Sequence, residues 1–278
     1  MSTTQDAVRA RYSHPEREDG RHKHDRAHGM EFRHTKLLLD PYITPDKDVA
    51  EFGCATGHYA EHWHGRCKSY LGVDIVQANV DFFNAKGLSN ADGQRTARAQ
   101  LGDATCCPEF TDGSFDVVLC LGPMYHLPAE ERALAMAEMA RVCRPGGVLA
   151  FSYICKAGVL MQAMTNRVWR HKIPWHKRLR WCNTYYPNRK GNDCIFAGVN
   201  DVDNPFFFAM PEEMEPLASD CGLKVLQNAG INITLNEAQI NHMDDEQYAC
   251  WLEFAEAMLQ WPSVTGMASH ALMVCGKE

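Results

Sequence analysis

Apolar and polar positions alternate in blocks from Asp48 to Ile154. Short apolar runs fall at Asp48 to Phe52, Ser69 to Val73, Ala97 to Leu101, Phe115 to Leu121 and Val148 to Ile154. Each has the length of a strand, and most stop at a glycine or an acid. The fourth is almost continuously apolar, as a strand covered on both faces must be. Between the runs the pattern turns helical. One helix starts near His58, a second runs from about Ala78 to Gly87, and a third from Pro128 to Cys143, closed by the turn Arg144-Pro145-Gly146-Gly147. Strand and helix in regular succession predict a parallel sheet wrapped on both sides.

The rhythm breaks after the fifth run. Residues 156 to about 204 are rich in aromatic and basic side chains and read as a mainly helical insertion. Order returns where Pro211-Glu212-Glu213-Met214 opens a helix to Cys221, followed by a strand at Leu223 to Gln227, a helix at Asp244 to Leu259 and a last strand at His270 to Val274. The predicted fold class is α/β: a doubly wound, mostly parallel seven-stranded sheet with helices on both faces, an N-terminal helical arm and an aromatic-rich insertion after the fifth strand. Four segments are expected: residues 1–47 as an arm or lid, 48–155 as the ligand-binding core, 156–208 as a cap over an acceptor site, and 209–278 completing the sheet.

Composition changes this picture little. Apolar residues at 45 % exclude a mainly disordered chain. No apolar run approaches the roughly 20 residues that cross a bilayer, and Met1 to Arg11 is polar, without the apolar core of a signal peptide. A cytoplasmic protein with no membrane partner is expected. The formal charge of -7 weighs against a nucleic-acid partner, since counterion release needs a basic surface. One stretch, Arg167 to Arg180, runs the other way, with Trp169 and Trp175 among its bases. It reads as a helix pair with core-facing tryptophans, or as a patch for an anionic substrate. The 12 cysteines show no CxxC spacing, and a chain this long needs no disulfide staples. His24 and His28 stand at i, i+4, but no carboxylate or thiol pattern completes a metal site, so no metal is expected.

Candidate chemistry gathers at the ends of the strands. Val49-Ala50-Glu51-Phe52-Gly53-Cys54-Ala55-Thr56-Gly57 is a strand entering a small-residue loop and then a helix. Glycine there lets the backbone bend sharply and a ligand approach it. The spacing Gly53-x-x-x-Gly57 departs from the Gly-x-Gly-x-x-Gly of dinucleotide folds, and Glu51 would repel a pyrophosphate while suiting an ammonium. Asp74, ending the second strand, can accept from a ribose diol or cap the next helix, and its place one strand after the glycine loop favours ribose. Asp103, after the third strand, can accept from an exocyclic amine. The fourth strand opens at Leu121-Gly122-Pro123-Met124-Tyr125-His126-Leu127 into the crevice where open α/β sheets bind ligands.

This series resembles the class I S-adenosylmethionine-dependent methyltransferase family. The likeness is close over about residues 48 to 155, including Arg141-Val142-Cys143-Arg144-Pro145-Gly146-Gly147 before the fifth strand, and looser through Met210-Pro211-Glu212-Glu213 and Cys221-Gly222-Leu223. Two residues depart. Glu51 stands where Asp is commoner. Ala55 stands at the family's middle glycine, a change that costs little provided its φ is negative. The resemblance implies S-adenosylmethionine as cofactor. It puts Glu51, Gly53 and Gly57 at the loop near the amino acid end, with Leu121 contributing backbone. Asp74 would lie at the ribose and Asp103 and Ala104 at the adenine, with Ile75 also in the cofactor site.

Methyl transfer from a sulfonium is an in-line displacement with an activated leaving group, so the enzyme mainly orients and desolvates. A base is needed only where the acceptor must lose a proton. Tyr125 and His126 are the candidate catalytic residues, since a free imidazole titrates near pH 6.5. A histidine capping the Pro128 helix is the other reading. Tyr12 and His28, on the arm, are expected against the cofactor. Tyr125, His126 and part of Trp169 to Phe208 are expected to surround the transferable methyl. A small-molecule acceptor is the leading expectation. The alternatives are an RNA or protein methyltransferase using residues 167–180, and a non-catalytic S-adenosylmethionine-binding module. Gly122-Pro123-Met124-Tyr125 stands where base-amine methyltransferases carry Asn/Asp-Pro-Pro-(Tyr/Phe), and the loop spacing disfavours a nicotinamide dehydrogenase. Thiolate chemistry at Cys106-Cys107 is disfavoured by its place beside the adenine strand.

Overall fold

The computed structural model describes residues 4–89, 93, 96–165, 206–233 and 237–278. The strands are β1 (Asp48–Phe52), β2 (Ser69–Asp74), β3 (Ala97–Leu101), β4 (Phe115–Cys120), β5 (Cys143–Cys155), β6 (Phe208–Ala209), β7 (Leu223–Gly230) and β8 (His270–Lys277). They form one sheet in the order β3-β2-β1-β4-β5-β8-β7, with the two-residue β6 paired to β5 off that path. The first five run parallel. β8 lies antiparallel between β5 and β7. The seven-stranded, mostly parallel sheet is therefore as expected, with β6 added.

Alternation along the strands explains the two layers. In β1, Val49 packs to one side with Tyr70, Val117, Leu119 and Leu272, while Ala50 and Phe52 pack to the other with Val118, Phe151 and Met273. Side chains of a strand point alternately to opposite faces, so a strand that is apolar throughout needs cover on both. The first face is covered by α4 (Arg26–Leu39), α5 (His58–Trp63) and α6 (Gln77–Ala85), through Leu39, Trp63 and Phe83. The second is covered by α7 (Ala129–Val142) and α9 (Pro211–Ser219), through Met136, Met139 and Met214. Each such side chain, fully buried, contributes about 1.5–3 kcal/mol.

Three earlier helices, α1 (Thr4–Arg11), α2 (Pro15–Glu18) and α3 (Arg21–His24), lead into α4. After β5 come α8 (Lys156–Thr165) and, between β7 and β8, α10 (Glu237–Asn241) and α11 (Asp245–Met258). The turn before the fifth strand is absorbed into β5, because Cys143 already pairs with Phe115 before a register shift. Arg144 holds that turn, donating to Asp116 Oδ1 at 2.6 Å and to the Ser114 carbonyl at 2.9 Å. The expected insertion, including Trp169 and the basic stretch 167–180, lies almost wholly outside the described residues. Among those described, ten cysteines are free, and no helix is long and apolar enough to cross a membrane.

Candidate active site

One cleft, enclosing about 970 Å³ with its open mouth, lies at the carboxyl ends of β1, β2, β3 and β4. Its floor is the loop between β1 and α5. Gly53 and Cys54 both donate backbone N–H to the Val73 carbonyl, at 2.7 and 3.2 Å, which folds the loop against β2. Gly53 has φ +74°, and a Cβ there would collide with the Pro123 ring of the β4 loop. Gly57, φ +81°, has the Phe83 ring where a Cβ would be. Gly53 lines the cleft and Gly57 does not. Gly57 is thus a packing residue of the turn.

Ala55 overturns an expectation. Its φ is +45°, the one positive value among the described non-glycine residues, not negative as the sequence reading required. A left-handed alanine costs roughly 1–2 kcal/mol relative to the right-handed region. Its N–H donates to Asp74 Oδ2 at 2.8 Å, and that bond to an acceptor fixed by β2 holds the conformation.

Asp74 is buried and lines the cleft. Its other oxygen accepts from Val76 N at 2.9 Å and Asn79 Nδ2 at 3.2 Å. Burial raises its pKa, and the three hydrogen bonds oppose the rise. The first residue before α6 is Val76, and no side chain caps that helix, so Asp74 orders the turn between strand and helix without capping it. Asn79, also lining the cleft, has a buried Oδ1 with no hydrogen-bond partner. An acceptor so placed beside Asp74 is what a ligand hydroxyl would satisfy.

At the far end, Asp103 Oδ1 accepts from Thr105 N at 2.9 Å and Thr105 Oγ1 at 2.8 Å. Its Oδ2 accepts from Gln5 Nε2 of α1 at 2.7 Å. Ile75, Ala104 and Leu121 line the same cleft. The next wall is the 3-10 turn Pro123–Tyr125, followed by His126. His126 is buried, and its Nε2 lies 2.9 Å from the Tyr12 hydroxyl. The residue at the N-cap of α7 is Pro128, whose side chain offers no cap. Tyr125 lines the cleft, stacked on Phe206 with ring centroids 6.2 Å apart. Burial pushes its phenol well above the ordinary value. Phe207 donates its N–H to the Tyr125 carbonyl at 2.8 Å, so the chain leaving the insertion is pinned beside this wall.

Two expected contacts lie elsewhere. Glu51 is buried within β1 and does not line the cleft; it accepts from the Tyr70 hydroxyl of β2 at 2.6 Å. Burial pushes its carboxyl up to about 8, against the pull of the Tyr70 bond, so near neutral pH it is largely uncharged. His28 bonds to Asp25 at the start of α4 and does not line the cleft. Tyr12 does.

The sequence reading missed Gln5, Val8, Glu18, Arg21, His58 and Asn79 as lining residues. The first two carried a signal: Gln5, Val8 and Tyr12 stand at i, i+3, i+7 and share one helix face. His58 is held neutral, its pKa lowered to about 3 chiefly by burial.

A methyltransferase domain model matches residues 50–151, the segment that builds this cleft from β1 to β5. That segment carries a methyltransferase domain of the class I, S-adenosylmethionine-dependent kind. The chain is 33% identical over 113 residues to a ubiquinone biosynthesis O-methyltransferase of Hahella chejuensis, covering 40% of this chain and 44% of the relative. It is 28% identical over 153 residues to a probable tRNA methyltransferase 9B of Bos taurus, covering 52% of this chain and 30% of the relative. The chain thus spans less than half the length of these curated relatives. Its fold is shared with magnesium protoporphyrin IX methyltransferase from Synechocystis, at TM-score 0.58 and 12% identity over 99% of this chain and 100% of that one, a structure with S-adenosylhomocysteine bound. The family's cofactor is S-adenosylmethionine. The orphaned Asn79 oxygen and the Asp74 and Asp103 carboxyls are a set of acceptors that fits the hydroxyls of its ribose and the amine of its adenine.

Proposed function

We propose that the chain transfers a methyl group from S-adenosylmethionine to a small-molecule acceptor. The observation that carries this reading is the meeting, in one cleft, of Asp74 and Asp103 with the half-buried Tyr125 and the buried His126 of the β4 loop. Asp74 and Asn79 would take the ribose hydroxyls. Asp103, with Ile75 and Ala104, would take the adenine. Gly53 and Leu121 would offer backbone to the amino acid end. The cofactor supplies a methyl carbon on a sulfonium, whose leaving group is already activated. What remains for the protein is orientation, exclusion of water and, for an acidic acceptor, a base. His126 Nε2 is the acceptor of that proton. The Tyr12 hydroxyl at 2.9 Å orients the ring and can relay the proton. Tyr125 and Phe206 give the acceptor side an aromatic wall.

The arm, residues 1–47, would act as a lid, since Gln5, Val8 and Tyr12 line the cleft from its N-terminal helix. A cytoplasmic setting suits ten free thiols. Calorimetric titration with S-adenosylmethionine, followed by a screen of metabolites and of tRNA for methylated product, tests the reading. Methylation of a small molecule supports it. Methylation of tRNA alone would assign the acceptor site to RNA, and tight binding without turnover on any acceptor would make the chain a binding module. Asp74→Ala should weaken binding by about 1.5–3 kcal/mol, the worth of a charged hydrogen bond; unchanged affinity would remove Asp74 from the ribose site.

A further inference from the structure

We propose that Glu18 and Arg21 clamp the zwitterionic amino acid end of the cofactor, the guanidinium against its carboxylate and the Glu18 carboxylate against its ammonium. The proposal rests on the S-adenosylmethionine reading above and assigns what that reading leaves open. The ligand carries an α-carboxylate, which needs a cation or a dense set of donors. Among the described residues lining the cleft, Arg21 is the single lysine or arginine, beside three carboxyl side chains, Glu18, Asp74 and Asp103. Asp74 and Asp103 are occupied at the ribose and adenine ends by the bonds already described. Glu51, the acid expected to meet the ammonium, is buried against Tyr70 and absent from the cleft wall. That leaves the ammonium without a charged partner unless Glu18 supplies it.

The local fold brings the two side chains together on the cleft side. Glu18 ends α2 and Arg21 begins α3, and between them Gly20 takes φ +71°, turning the chain between the two helices. Arg21 NH1 then sits 3.2 Å from Glu18 Oε2. The arm crosses the cleft lengthwise. Gln5 meets Asp103 at the adenine end, Tyr12 meets His126 at the β4 loop, and Glu18 and Arg21 follow. Arg21 is close enough to His58, the first residue after the glycine loop, to help burial keep that imidazole neutral. The glycine loop and the β4 loop enclose the amino acid end in the reading above, so the ion pair stands where the zwitterion would be. The pair lines the cleft with the Arg21 side chain half exposed and Glu18 more buried, so both charges stay open to a ligand carrying the opposite ones, and charge-assisted bonds are stronger than neutral ones.

The test compares two ligands on the full chain by calorimetry: S-adenosylhomocysteine, which has the amino acid end, and 5′-methylthioadenosine, which lacks it. Arg21→Gln should weaken S-adenosylhomocysteine about 10- to 100-fold and leave 5′-methylthioadenosine unchanged. Glu18→Gln should show the same selectivity with a smaller loss, and Arg21→Lys should recover part of the affinity. Equal losses for both ligands, or no loss for either, would overturn the clamp. Failure of the wild-type chain to bind S-adenosylhomocysteine would be a different result, refuting the cofactor reading itself.

Discussion

Ala55 shows how a one-methyl departure is accommodated at a ligand loop. The side chain is tolerated in the left-handed region because its N–H is tied to Asp74. Ala55→Gly should keep the stability of the unliganded chain within about 1 kcal/mol, relief of strain offsetting the added freedom of the unfolded state. Ala55→Val should cost about 1–3 kcal/mol, since a β-branched residue is a true outlier there; urea unfolding measures both. Glu51 gives a second residue-scale expectation. Its folded pKa of about 8 lies above the ordinary 4.5, so the folded chain binds the extra proton between those values. Stability is therefore full below about pH 4.5, falls as pH rises towards 8, and stays low above it. Glu51→Gln should remove that decline, leaving the variant more stable than the parent at pH 9, on the order of a few kcal/mol, with the two converging in acid. A parent whose midpoint is flat from pH 5 to 9 relative to the variant would show that Glu51 is ionised. Neither feature was legible in the sequence. Periodicity gives a residue's face but not the sign of its φ, and the motif position of Glu51 gives no warning that Tyr70, on the neighbouring strand, takes its oxygen.

Among the elements, β1 to β4 were read to within a residue, because alternation and turn residues mark their ends, while β5 begins at Cys143, five residues before the expected Val148, and β6 was not foreseen. β1 and β3 fall where the apolar runs do, and β7 and β8 extend past the expected Gln227 and Val274 to Gly230 and Lys277. That extra length is antiparallel pairing, Ala229 with Leu272 and Val225 with Cys275, set by the partner strand and invisible in either segment alone. The arm was the harder element. A helix as short as α1 is marginal alone and takes its place from the cleft, through Gln5 on Asp103 and Tyr12 on His126. If His126 is the base and Tyr12 its orienting partner, His126→Ala should lower turnover by about 10²–10⁴. Tyr12→Phe should lower it about three- to tenfold, the loss of one hydrogen bond. Cofactor affinity should stay nearly intact in both, and the His126 variant should lose the rise in rate with pH that an imidazole base confers. A small, pH-independent loss on removing His126 would reduce it to a wall of the acceptor site.

For the whole molecule, cleft and core are coupled, since the residues that line the cleft are the ends of strands whose middles form the two apolar layers. A ligand that bridges β1, β2, β3 and β4 binds only the folded state and stabilises it by mass action. S-adenosylhomocysteine at about 100 times its Kd should add about 2.7 kcal/mol and raise Tm by about 5 °C, while a nicotinamide dinucleotide at the same concentration should leave Tm unmoved. A Tm indifferent to S-adenosylhomocysteine would count against the cofactor assignment for this chain.

The place of β8 in the sheet has a consequence for how such a chain is made. Its residues follow all the other described strands in sequence, yet it lies inside the sheet, bonded to β5 on one side and β7 on the other. During synthesis, β1 to β4 and the cleft between them can assemble on the ribosome, while β5 waits with one bare edge and β7 has nothing to pair with. A nascent chain halted before His270 presents an apolar, unpaired edge, the geometry that recruits strands from other molecules. Translation must run through the β8 codons before that edge is covered, so copies halted before β8 are the ones exposed to chaperones and proteases.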